Sequence, residues 1–306
     1  MSAESCKAVA SDEPRRSGTW LYQQIATAED CGYFGPGSAI WSLHREAVLA
    51  LGIERALLLQ LAHPWVAQAV VDHSTYRSEP VERLFGTISA AELLVFGSRK
   101  QADAAAAGVR KVHARITGTL SEDVGKWREG TVYRAGDPAA LLWVLTTLID
   151  TTLVVYESCF GQLPEETVSR YIADAARLGA MLELPPEMVL PNRESVRQYM
   201  QAMVADGTVA VGSQARRVAG AVLRPDLPRW ARIFWWPYRS IARGMTVTLM
   251  PETLRSQYGS LLTLRGESVY LAGGSIGRGL LHRLPARFRL DPIASTAISL
   301  AERRAA

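Results

Sequence analysis

Cysteine is nearly missing from this chain of 306 residues: Cys6, Cys31 and Cys159 are the whole set. An odd number at wide spacing builds no disulfide framework, and without a CxxC pair it builds no zinc or dithiol centre. Lysine is almost as scarce. Of 34 basic residues only Lys7, Lys100, Lys111 and Lys126 are lysines, and the arginines that supply the rest are scattered along the chain. At a net charge of +4 that distribution argues against a nucleic-acid partner, which would need a concentrated basic face. We read it as an arginine-biased composition serving anion and carboxylate contacts. No Glu-x-x-His pair and no HExxH motif occurs, which excludes a carboxylate-bridged di-iron bundle and a zincin. The stretch from Met1 to Gly18 lacks the apolar core of a signal peptide, so a cytoplasmic protein is the default expectation. One long apolar run stands out, Ala139–Tyr156, and Asp150 interrupts it. A central aspartate costs about 3 kcal/mol on insertion into a bilayer. Four threonines (Thr146, Thr147, Thr151 and Thr152) weaken the run further, and a buried core helix is expected in place of a membrane span.

Hydrophobic residues make up 48% and charged residues 21%, the balance of a globular chain able to bury a substantial core. Helical signals dominate. Ser38 is placed to cap a helix running to Leu51, Gly52 punctuates before Ile53–His63, and Pro64 opens Trp65–Val71. Pro80 opens Val81–Gly97, and Ala102–Thr117 follows. Asp137 before Pro138 is an N-cap with proline at the first helical position, and it starts Ala139–Phe160. Thr167–Leu182 comes next, then Arg193–Asp206 capped by Asn192. Residues 120–134 show no period and read as a long loop, and neither strand–helix alternation nor an internal repeat is present. The predicted class is all-α. One multi-helix domain is expected over residues 19–290, with flexible tails at 1–18 and 291–306.

The segment Pro228–Met250 is unusual. Trp230, Ile233, Phe234, Tyr238, Ile241 and Met245 keep helical spacing, Arg229, Arg232, Arg239 and Arg243 lie between them, and Pro237 is expected to break the run. One reading is a helix packed on the core with snorkelling arginines. The other is a peripheral element that meets a greasy substrate or a membrane surface.

His113 is the most informative single residue. Read as a helix, its surroundings line it up with Ala106, Val109 and Ile116 on an apolar face, with Arg110 one turn back. Taken alone, a histidine so placed is as a rule a hydrogen-bonded core residue. The arrangement also meets the needs of a buried haem, an imidazole for the iron and a cation for a propionate. Upstream, Arg83 and Thr87 are four residues apart and share one helix face. They form either a pair of donors or a surface pair in which Thr87 bonds its own backbone.

These residues carry a resemblance to the family of mpaB-type oxygenases and bacterial rubber oxygenases. It extends to Gly35-Pro36-Gly37-Ser38, Ala56-Leu57-Leu58-Leu59-Gln60-Leu61-Ala62-His63-Pro64, His73-Ser74, Phe96-Gly97, Tyr133-Arg134-Ala135-Gly136-Asp137-Pro138 and Trp143-Val144. The resemblance implies a helical core like that of the globins and a haem b cofactor whose iron takes His113 as proximal ligand, with Arg110 near the haem. It also implies that Arg83 and Thr87 act on the distal side, and that dioxygen and a lipophilic, isoprenoid-like substrate are the small-molecule partners. Three departures are plain. Rubber oxygenases carry a lysine just before the threonine, where this chain has Gly86. They use a glutamate in the preceding helix, and between Gln60 and Ser78 there is none. Family members commonly have a histidine after Trp-Val, and here it is Leu145.

His63 and His73 are expected to be structural, at a helix break and a helix end. Asp150 is expected to hydrogen-bond to a neighbouring helix. Gly273-Gly274-Ser275-Ile276-Gly277 fits the GxSxG elbow of serine hydrolases, but His282 precedes Asp291, against the order that elbow requires. The expected function is therefore a haem-dependent oxygenase. The alternative is a non-catalytic helical binder of haem or of a hydrophobic ligand.

Overall fold

The computed structural model describes residues 18–74, 80–224, 229–262 and 285–305. Among them, helices make up almost all the regular structure, as the all-α reading expected. Helices α1 (Gly18–Ala26), α2 (Ala39–His44), α3 (Ile53–Leu61), α4 (Pro64–His73), α5 (Pro80–Phe96) and α6 (Arg99–His113) come first. A strand pair, β1 (Thr117–Thr119) and β2 (Val132–Arg134), separates them from α7 (Pro138–Phe160), α8 (Glu165–Met181) and α9 (Arg193–Ala205). The chain continues with α10 (Ser213–Leu223), α11 (Arg229–Leu249), α12 (Glu252–Tyr258), the short α13 (Ala286–Arg289) and α14 (Pro292–Ala305).

Helix α7 is the hub. Asp137 accepts a hydrogen bond from the Ala139 amide and Pro138 occupies the first turn, so the start falls where the sequence signal put it. The 23 residues of α7 are long and apolar enough to cross a membrane, yet they pack against α2, α3, α8, α9, α11 and the 3-10 turn Ala47–Gly52. Trp143 joins a core cluster with α3, α4, α10 and α12, while Ile149 and Leu153 join a second with α1, α2, α5, α8 and α14. The close approach of the 3-10 turn depends on Gly52: a Cβ there would come within 2.9 Å of methyls of both Thr151 and Val155.

Helices α5 and α6 form an antiparallel hairpin. Ser98 caps α6 through a reciprocal box, its hydroxyl accepting from the Gln101 amide while the Gln101 side chain accepts from the Ser98 amide. At Gly97 a Cβ would sit 2.5 Å from the Leu93 carbonyl oxygen, so glycine allows the tight turn.

Several expectations need correction. The helix expected to reach Thr117 ends at His113, because Arg115 and Ile116 fold back onto the Val112 and His113 carbonyls. Thr117 then pairs with Arg134 in a strand pair inside what read as loop, since three-residue strands are too short to show a period. Helix α11 runs through Pro237, where one missing amide removes a single ladder bond. Helix α10 lies in a stretch to which no element had been assigned. The expected C-terminal tail is the helix α14, with Ala294 and Ala297 buried against α1 and α5. Residues 1–17 and the GxSxG segment lie outside the described residues.

Candidate functional site

The site builds up at the open end of the α5–α6 hairpin. Along one face of α6 stand Ala102, Ala106, Val109 and His113, the spacing that stacks side chains on a helix. Burial fades along that face: Ala102 and Ala106 are buried, Val109 and His113 half-buried. On α5 the trend is parallel, with Leu93–Phe96 buried and Phe85–Thr87 exposed. The two helices pack against each other and join through Gly97 and Ser98. Away from that joint they leave large apolar side chains in water, Phe85 at 47% and Val112 at 56% exposure.

His113 closes α6, and burial lowers its imidazole below the ordinary value, which favours the neutral form with a free lone pair. Among the described residues its ring makes no hydrogen bond, and in this it differs from the other histidines there. His44 meets the Tyr171 hydroxyl at 3.1 Å, His63 accepts from the Trp65 amide at 3.3 Å, and His73 meets the Thr117 carbonyl at 3.0 Å. His63 is thus the N-cap of α4, 1% exposed and held down to about 4 by burial. A neutral, unengaged imidazole on an apolar face fits an axial ligand to haem iron. A protein-built metal centre has no counterpart, since no three His, Cys, Asp or Glu residues converge among the described residues.

Arg110 is less available than expected. Its guanidinium donates to the Met181 carbonyl and pairs with Glu183 at 3.2 Å, an interaction reaching from α6 to the end of α8. Glu183 is 76% exposed and takes a left-handed backbone with φ of 65°, so the partner is held by the chain ending rather than by packing. Thr87 is exposed on α5, and a side chain at Gly86 would meet nothing within 4 Å. Arg83 belongs to the first turns of α5, and its side chain lies outside the described residues.

Two polar groupings were not anticipated in detail. Asp150 finds its neighbouring-helix partner in Arg55 of α3, which also donates to Thr151 and to the Leu249 carbonyl. At the foot of β1, the Tyr133 hydroxyl donates to Asp72 at 2.7 Å, and Asp72 also accepts from Gln68 at 2.9 Å. Burial and the Asp72 carboxylate push the Tyr133 hydroxyl up, so it stays a donor. Two water-sized hollows among the described residues lie elsewhere, one around Trp41 and Phe96 and one around Gln68 and Gln214.

Residues 41–278 match the family described as ER-bound oxygenase mpaB/B′ and rubber oxygenase, catalytic domain. The chain belongs to this oxygenase family. The matched span contains α5, α6 and α7 whole, and so the entire site of this mpaB/rubber-oxygenase member. Similar proteins include the uncharacterized protein Rv2237 of Mycobacterium tuberculosis and the uncharacterized protein Mb2261 of Mycobacterium bovis. Each is 25% identical over 212 residues, covering 68% of this chain and 77% of the relative. No solved structure matches.

Proposed function

We propose that this family member is a haem b-dependent oxygenase acting on a lipophilic substrate, with His113 as the proximal iron ligand. The observation that carries the reading is the unengaged, half-buried imidazole of His113 on an apolar helix face inside an oxygenase domain. When bound, haem supplies the activation of dioxygen. The residues of the chain do the rest. Val109 and the half-exposed Phe85 and Val112 offer apolar surface that a flat porphyrin and a greasy substrate would cover. Thr87, exposed on α5, with Arg83 one turn before it in the sequence, would supply polar groups to a bound ligand. Arg110, now paired with Glu183, would be the cation available to a haem propionate.

Purified protein mixed with haem should develop a Soret band, and His113→Ala should fail to hold it while keeping its helical far-UV spectrum. Full haem retention by that variant, with an unchanged spectrum, overturns the assignment. A second reading, a non-catalytic binder, draws on Gly86 and on the missing glutamate between Gln60 and Ser78. Dioxygen uptake in the presence of an isoprenoid alkene separates the two: consumption marks the oxygenase, and stable haem without consumption marks the binder.

A further inference from the structure

Helix α6 loses packing towards its last residue, His113. We infer that His73, together with the Asp72–Tyr133 hydrogen bond, forms a staple between the end of α4 and the end of α6 and so positions His113; this rests on the haem reading above.

The chain path makes the case. His113 is the last residue of α6, and only Ala114, Arg115 and Ile116 separate it from β1. Ile116 donates back to the His113 carbonyl, and Ala135 donates to the Ile116 carbonyl, so the end of α6 moves with the strand pair. The strand pair is in turn fixed to the end of α4. His73 Nε2 meets the Thr117 carbonyl at 3.0 Å, and the Thr117 hydroxyl donates to the Tyr133 carbonyl at 2.9 Å. Gly118 pairs with Tyr133, whose ring lies so close that a Cβ at 118 would be 2.6 Å from its hydroxyl oxygen. That hydroxyl, on a side chain 1% exposed, reaches Asp72. Gln68 extends the tie by donating to Asp72 and accepting from the Ser121 hydroxyl at 2.8 Å.

The chain leaving α6 is therefore tied to the end of α4 at two adjacent residues, Asp72 and His73. Ligand donors held by outer hydrogen bonds lose about 10-fold or more in metal affinity when those bonds are removed. Here the hydrogen bonds act on the end of the ligand's helix and not on its ring. His73, Asp72 and Tyr133 are positioning residues.

The test uses the full chain loaded with haem, comparing wild type with Tyr133→Phe, His73→Ala and His73→Gln. Asn192→Ala, which removes the cap of α9, serves as a control for stability alone. The staple predicts that Tyr133→Phe and His73→Ala release haem about 10-fold faster and change its spin-state bands and midpoint potential. His73→Gln, which keeps a donor able to reach the Thr117 carbonyl, should restore much of the wild-type behaviour. In the haem-free protein, amide exchange over residues 109–116 should quicken in the first two variants and not in Asn192→Ala. Spectra and potential equal to wild type, beside a merely lowered melting temperature, overturn the inference. Wild-type protein that takes up no haem overturns the oxygenase reading and this inference with it.

Discussion

Arg55 and Asp150 meet at 2.6 Å between α3 and α7, and Arg55 is 2% exposed. Each of the three guanidinium nitrogens is engaged, the other two bonds going to the Thr151 hydroxyl and, across to α11, the Leu249 carbonyl. Three helices are thereby tied at one buried cation. Removing the carboxylate alone leaves that cation uncompensated. Asp150→Ala should cost about 3 kcal/mol in urea unfolding, as for one partner of a buried pair. Arg55→Met combined with Asp150→Leu should recover a good part of the loss. A single variant that stays within about 0.5 kcal/mol of wild type contradicts the reading.

That pair shows where sequence reading reaches and where it stops. The expectation that Asp150 bonds a neighbouring helix came from a lone carboxylate in an apolar run, but nothing local identifies Arg55 as the partner. Local signals did well where the physics is local. Asp137-Pro138 placed the start of α7, and Asn192 marked α9. The same signal stands at Asp291-Pro292, where Asp291 accepts from the amides of Ile293 and Ala294, and it starts a helix in a segment whose terminal position suggests a tail. The strand pair was illegible because three-residue strands carry no period. At the site, the apolar face bearing His113 was visible in the spacing. The freedom of its ring was not, since that depends on what the other elements fail to bring near it.

The engagement of Arg110 leads to opposite expectations for two neighbouring substitutions. With Glu183 76% exposed, the pair is a surface ion pair worth under about 1 kcal/mol. If Arg110 turns to a propionate when haem binds, Glu183→Ala removes a competitor and should tighten haem binding slightly. Arg110→Ala removes the donor and should weaken it. Haem titrations on both variants decide the point; equal affinity in all three proteins takes Arg110 out of the site.

Stability should respond to pH through buried groups that act in opposite directions. Burial holds His63 and His44 at about 4, against 6.5 when exposed, so the unfolded chain takes up their protons first. Their contribution is whole above 6.5 and is lost as pH falls towards 4. Glu92 runs the other way: one carboxylate oxygen is buried without a partner, and burial together with Asp291 raises it to about 8, from 4.5. Its contribution is whole below 4.5 and is lost as pH rises through 8. Glu92→Gln should therefore gain on wild type with rising pH between those limits, by up to about 1.4 kcal/mol per pH unit. Denaturant midpoints from pH 5 to 8.5 read the difference, and a gap that does not change with pH refutes it.

Thr87 separates catalysis from structure. It is exposed on α5, and exposed substitutions away from special features usually change stability by less than about 0.5 kcal/mol. Thr87→Val keeps the shape of the side chain and removes only the hydroxyl. If that hydroxyl steadies dioxygen or substrate opposite His113, the variant should hold haem and melt as wild type does. Its dioxygen uptake per bound haem should then fall about 10²-fold, the loss expected for a preorganised donor. Arg83→Ala should act in the same sense. Normal uptake per haem in both variants would place the reacting atoms away from this face of α5 and return the pair to the helix surface.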